Sequence, residues 1–148
     1  MPAAADTDTK TLLLDAAEQA FANEGFAASS LRGIIAAAGV NLAAVHYHYG
    51  SKDALIEAVF RRRIAPLNEE RLRRLDEIEA AAGRRPPPLE QVVEALVGPA
   101  LRLANDPARG GAVCMRLFGR TIAEPSEQLR RMFTEQFAVV LQRFLRAL

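Results

Sequence analysis

Apolar residues in this chain recur at intervals of three and four almost from end to end, and nowhere alternate with the two-residue rhythm of a strand. Leu13, Ala16, Ala17, Ala20 and Phe21 mark one such face between Thr9 and Glu24. Leu129, Met132, Phe133, Phe137, Val140, Leu141, Phe144 and Leu148 mark another near the end. Stripes of that period are buried by packing helix on helix, so the pattern predicts an all-α protein. Half of the residues are apolar, enough for a packed core, and Ala, Leu, Arg and Glu, all strong helix formers, dominate. A length of 148 residues allows one domain, or a small N-terminal unit continuous with a larger body.

Capping and breaking residues divide the pattern into seven helices. Asp6 to Asp8 are cap candidates for the first, which Asn23-Glu24-Gly25 ends; Phe26 can then fold back onto its stripe. The other face of this helix carries its acids and amides. Ser29-Ser30 opens a short second helix with Leu31, Ile34 and Ile35 inward, ending at Ala37-Ala38-Gly39. Asn41 suits the N-cap of a third, Leu42 to Tyr47, closed by Gly50. Ser51 caps a fourth, with Asp53 in its first turn. It can run to about Ala82 through Leu55, Val59, Leu67, Leu72 and Leu75, with distortion expected at Pro66. Gly83-Arg84-Arg85-Pro86-Pro87-Pro88 is an exposed, extended linker. A fifth helix follows from Leu89 to Ala104, bent or interrupted at Gly98-Pro99, then a loop from Asn105 to Gly111. A sixth covers Ala112 to Ala123, and Pro125-Ser126 starts the seventh.

Several function classes recede on composition. Cys114 is the single cysteine, so no internal disulfide framework exists and a reducing compartment is the simplest expectation. No run approaches 18 apolar residues, and the N-terminus MPAAADTDTK lacks the pattern of a secretory signal, so a cytoplasmic protein off the membrane is expected. No nucleophile with a nearby base, phosphate loop or paired acids at a Gly-rich turn speaks for an enzyme, and no cofactor is implied. His46 and His48 stand two residues apart, on different helix faces and without a Cys or carboxylate cluster, so no metal site is expected.

The most informative stretch is residues 29–52, Ser-Ser-Leu-Arg-Gly-Ile-Ile-Ala-Ala-Ala-Gly-Val-Asn-Leu-Ala-Ala-Val-His-Tyr-His-Tyr-Gly-Ser-Lys. Two short helices meet there at a turn around Gly39, where a left-handed backbone is needed. Val40 and Val45 would anchor the second helix onto Ile34, Ile35 and Phe21. With Val45 inward, Leu42, Ala43, His46 and Tyr47 turn outward, and a helix presenting small residues with His and Tyr can enter a DNA major groove. Charge weighs the other way. Residues 1–60 hold Lys10, Arg32 and Lys52 against seven acids, a net −4, the wrong sign for wrapping DNA non-specifically.

Residues 10–60 resemble the N-terminal domain of the TetR family of bacterial transcriptional repressors. The resemblance rests on Leu13, Ala16-Ala17, Phe21 and Gly25-Phe26, then Leu31-Arg32, Ile35-Ala36 and Ala38-Gly39-Val40, then His46-Tyr47-His48-Tyr49-Gly50-Ser51-Lys52 and Leu55. It implies a helix-turn-helix DNA-binding domain over residues 1–50 and a helical effector-binding and dimerisation body over residues 51–148. It also implies a homodimer on palindromic double-stranded operator DNA, released when a small molecule binds the C-terminal body; the effector expected here is apolar or amphipathic. The last two helices of the family fold lie beyond the seventh and are missing here. With Leu148 on the apolar stripe and no cap after it, the chain reads as cut short or completed from outside.

Carried over by position, Arg32 stands where the family often touches a base or phosphate. Leu42 and Ala43 are outward recognition positions, and Lys52 stands at the phosphate-binding lysine. His46 replaces a common Tyr, and Tyr47 a common His or aromatic. Ser30, Asn41 and His48 complete the expected DNA-contacting set. Tyr49 is expected in the core, and Arg61-Arg62-Arg63 as a solvated face of the fourth helix, with a flanking phosphate contact as the alternative. Leu101, Cys114, Met115, Phe118, Met132, Phe133 and Phe137 are candidates for an effector pocket, because Met and aromatic side chains suit apolar ligands; core packing explains them equally well. A rival reading is a helical ligand-binding or adaptor protein that keeps the fold without binding DNA.

Overall fold

The computed structural model describes residues 2–148. Its elements are α1 (Pro2–Glu24), α2 (Leu31–Ala38), α3 (Leu42–His48), α4 (Lys52–Ala82), α5 (Leu89–Ala104), α6 (Gly111–Ala123) and α7 (Glu127–Ala147), with a 3-10 turn at Pro107–Arg109. Among the described residues there is no strand, and no helix is long and apolar enough to cross a membrane. The chain forms two compact units. One comprises residues 1–61 and 113–126, the other residues 62–112 and 127–148.

In the first unit, α1 begins at Pro2 rather than after an Asp6–Asp8 cap. Proline at the first helical position has its φ preset and no N–H to lose, and Ala3, Ala4 and Ala5 carry the helix onward. Leu13, Ala17 and Phe21 from α1, Ile34 and Ile35 from α2, Val45 from α3, Leu55, Ile56, Val59 and Phe60 from α4, and Cys114 and Leu117 from α6 are all buried. The ring of Phe26 lies 5.5 Å from Phe21 and 5.7 Å from Phe60, and Phe60 lies 6.3 Å from Phe118. Phe26 thus folds back as the α1 stripe predicts. The polar face of α1 is not uniformly solvated: Glu18 is 2% exposed. Its position follows Ala17 on the stripe's edge, where periodicity alone cannot separate flank from core.

The second unit packs α4, α5 and α7 around Leu75, Val92, Ala95, Val140 and Phe144, with Leu72, Ile78, Leu96 and Ala147 against them. Arginine–carboxylate pairs brace its surface. Arg74 Nε lies 2.9 Å from Glu70, Arg102 reaches Glu94 at 2.9 Å and Glu70 at 3.2 Å, and Arg143 reaches Asp76 at 2.6 Å and Glu79 at 3.0 Å. Burial pushes the Glu70 carboxyl up, but the two guanidinium groups outweigh it and hold the pKa below the usual value.

Four expectations need correction here. Of bending or interruption at Gly98-Pro99, interruption does not occur: α5 is continuous with Pro99 inside it and buried, so packing offsets the lost backbone hydrogen bond. The 105–111 segment is not plain loop, because the Asp106 carboxylate accepts from the Ala108 and Arg109 amides at 3.0 and 3.3 Å and caps a 3-10 turn. The α7 stripe is wider than the face it buries; Leu141 and Leu148 are exposed. Nor is Arg61-Arg62-Arg63 a uniform solvated face. Arg61 is exposed and pairs with Glu57 one turn back, whereas Arg63 is half-buried and donates to the Arg109 carbonyl at 2.8 Å.

Gly25 ends α1 with φ +95°, and a Cβ there would run into the Glu124 carboxylate. Backbone strain adds to displacement of the Glu124 carboxylate from the Ala27 amide, so Gly25→Ala should lower the stability read from urea unfolding by more than about 1 kcal/mol.

Candidate nucleic-acid interface

The presented surface is built by α2 and α3. Ser30 caps α2: its Oγ accepts from the Gly33 amide at 3.0 Å. Arg32 follows in the first turn and is exposed. Gly39 takes the left-handed conformation, φ +67°, and its N–H donates to the Ala36 carbonyl at 3.2 Å, so the chain reverses sharply into α3. Asn41, exposed, immediately precedes that helix.

One residue sets the rotation of α3. Val45 is 0% exposed and packs with Leu13 and Ile35. With that side inward, Leu42, Ala43, His46 and Tyr47 are all exposed, Tyr47 by 80%. The Tyr47 ring meets His48 edge-on at 5.1 Å, and His48 is half-buried. Tyr49 packs against the Leu13–Ile35–Val45 cluster, as a core residue would. The helix ends as the Tyr49 and Gly50 amides both donate to the Val45 carbonyl, at 2.8 and 3.0 Å. Ser51 then caps α4, its Oγ accepting from Ala54 N at 3.1 Å, and leaves Lys52, half-buried, in the first turn. Among the described residues neither Arg32 nor Lys52 is held in an ion pair.

The acids of the first sixty residues stand elsewhere. Nothing between Ser29 and Ser51 carries a carboxylate. Asp8, Asp15 and Glu24 are exposed on α1, Asp53 and Glu57 on α4, and Glu18 is buried. The residues of α2 and α3 themselves thus present the Asn41 amide, aromatic edges, one arginine and no acid, although Glu24 of α1 lines one groove with Ser30, Gly33 and Ala37. Such a surface can donate to phosphates and base edges and touch thymine methyls with Leu42 and Ala43.

Sequence models for two parts of one family match this chain: "Bacterial regulatory proteins, tetR family" over residues 13–59, and "Tetracyclin repressor-like, C-terminal domain" over residues 94–148. The chain belongs to the TetR family. A solved structure described as the "SmeT-Triclosan complex" shares its fold with a TM-score of 0.70 at 24% identity, covering 95% of this chain. The chain spans 64% of the length of that structure. No curated protein matches.

In this TetR-family chain, the α1–α2 corner has a support that periodicity does not reveal. From α6, Arg120 donates to the Ala22 carbonyl at 3.3 Å and to the Asn23 carbonyl at 2.6 Å. One turn on, Glu124 accepts from the Ala27 amide at 3.1 Å. Both ends of the corner carry backbone groups that α1 cannot satisfy itself: carbonyls where it stops, amides where the loop begins. A cation meets the first and an anion the second. The only sequence signal is the i, i+4 spacing of Arg120 and Glu124, which by itself reads as a surface pair.

The residues proposed for an effector pocket divide between the two units. Cys114 is sealed in the first, with Met115 and Phe118 half-buried there. Met132 is buried in the second, where Phe133 and Phe137 are half-buried and stacked at 5.5 Å. Leu101 belongs to the second unit and is 58% exposed.

Replacing Glu124 by alanine should free the Ala27 amide. Its hydrogen exchange should accelerate relative to wild type, with about 1–2 kcal/mol lost from unfolding stability. Unchanged protection at Ala27 would show that the carboxylate does not secure the corner.

Proposed function

We propose that this chain is a one-component transcriptional repressor that lays α3 in the major groove of a palindromic operator and is released by a small apolar or amphipathic effector. The observation that carries this reading is the α2–α3 surface, whose own residues include no acid and where Val45 turns Leu42, Ala43, His46 and Tyr47 outward between Arg32 and Lys52, two cations outside any ion pair among the described residues. Residues 1–50 act as the reader and residues 51–148 as the effector and dimer body. Arg32, His46 and Tyr47 contact base edges or phosphates, Leu42 and Ala43 supply apolar contacts, and Lys52 holds phosphate beside the α4 N-terminus. Ser30 and Asn41 position the two helix starts at the backbone, and His48 supports Tyr47. As a bacterial reader of DNA, the protein acts in the cytoplasm.

Exposed apolar rows support a homodimer. Leu89, Val93, Val97 and Leu101 lie on α5, and Leu141 and Leu145 on α7, all open to solvent. Two copies would set their α3 helices in half-sites about one helical turn, roughly 34 Å, apart. The complex with triclosan formed by the structurally similar SmeT supports a small apolar effector. The rival reading, an adaptor without DNA binding, draws on the net −4 of residues 1–60; the placement of those acids on α1 and α4 weakens it.

Operator selected from random duplexes provides the test. Arg32→Ala should weaken binding to it by about 1–3 kcal/mol and relax specificity, whereas Lys52→Ala should weaken all duplexes alike and lower the salt slope by about one. Unchanged affinity in both variants at fixed salt, or the absence of any salt dependence in the wild type, would favour the adaptor.

A further inference from the structure

A buried arginine in the second unit has no acid to answer it. Arg71, on α4, is 8% exposed. Its Nε donates to the Leu96 carbonyl at 2.8 Å and its Nη1 to Asn68 Oδ1 at 3.0 Å. Asn68 is itself fixed, donating to the Gln136 carbonyl at 2.8 Å. The guanidinium carbon lies 5.5 Å from the centre of the Phe137 ring, which stacks on Phe133 at an interplanar angle of 7°. Its partners are thus two neutral oxygens and a ring face. Arg74, Arg102 and Arg143 in the same unit each hold two carboxylates. Among the described residues none ion-pairs with Arg71, and Nη2 donates to nothing. Burial alone pushes its pKa down, with no neighbouring acid to lift it again. A guanidinium stays charged even so.

Burying a charge without a counter-charge is costly, and neutral hydrogen bonds with one cation–π contact only partly compensate. The arrangement is costly as a structural element and suits an anion-binding one. We propose that Arg71 is the counter-ion for an organic carboxylate effector, whose charged end meets the free Nη2 and whose aromatic body lies on the half-buried Phe133–Phe137 stack. Carboxylate fits better than phosphate because Arg71 offers a single unengaged nitrogen, whereas phosphate calls for several donors. Asn68 and the Leu96 carbonyl act as positioning groups, holding the guanidinium plane so that Nη2 is presented. The inference rests on the reading of the helical body as effector-binding and narrows its ligand to amphipathic anions.

The intact chain can be tested with two fluorescent probes of the same shape, 2-naphthoate and the uncharged 2-naphthamide. Naphthoate should bind at least tenfold more tightly than the amide. Arg71→Gln should bring the two within twofold, while Arg71→Lys, keeping the charge and losing the fork, should retain part of the preference. Without ligand, Arg71→Met should melt no lower than wild type. Equal affinity for the two probes, failure of naphthoate to bind, or a preference that survives Arg71→Gln would overturn the inference. So would a large fall in melting temperature for Arg71→Met, which would mark Arg71 as a structural hydrogen-bonding residue. Operator binding by the same protein separates the two readings. Intact operator binding without naphthoate preference defeats the anion site alone, and naphthoate preference without operator binding defeats the DNA reading alone.

Discussion

A helix of seven residues cannot hold itself together in water, and the first unit depends on solving that problem for α3. Nucleation costs more than so few hydrogen bonds return, so α3 exists only because one side is packed. Val45 supplies that side, against Leu13 and Ile35. The same contact fixes the rotation of the helix, and rotation decides which residues are presented. A polar residue at position 45 would remove the helix's hold and its orientation together. The left-handed turn at Gly39 is the second requirement, because it aims α3 back across α1 within two residues.

The electrostatics of this unit depend on where charges sit more than on their sum. A net −4 over sixty residues reads as hostile to DNA. Once folded, the exposed acids belong to α1 and α4, and the α2–α3 surface carries none. Repulsion between exposed charges is screened over about 8–10 Å at physiological salt, so acids on other helix faces weigh much less than an acid within the surface would. Charge placement also explains the corner between α1 and α2. Arg120 meets the α1 carbonyls and Glu124 the loop amide, each opposite in sign to the backbone group it satisfies. Side chains 97 and 98 positions later in the chain therefore complete the capping of the first helix.

The second unit uses charge in two contrasting ways. Glu70, Glu94, Arg74 and Arg102 form a partly exposed network in which every member has a partner of opposite sign. Arg71, one residue from Glu70, turns inward to carbonyl oxygens and a ring. Adjacent positions on one helix thus hold a compensated surface charge and an interior one that no acid answers.

Much of the fold was legible in local pattern. The 3.6-residue period specified helices, and Gly25, Gly39, Gly50, Ser30 and Ser51 marked their ends because glycine's left-handed backbone and serine's capping oxygen are local properties. The inward placing of Val45 followed from the same period, and with it the outward face of α3. What local pattern could not carry was anything resting on distant partners. Glu18 borders an apolar stripe and its burial depends on what covers that border. Leu141 and Leu148 continue a stripe that the rest of the unit does not cover. Arg71 is one of several arginines on α4, indistinguishable in sequence from Arg73 or Arg74, until α5 and α7 close over it. Periodicity is a property of one helix and can be read from one segment; burial and charge compensation belong to pairs of segments, so only the tertiary structure decides them.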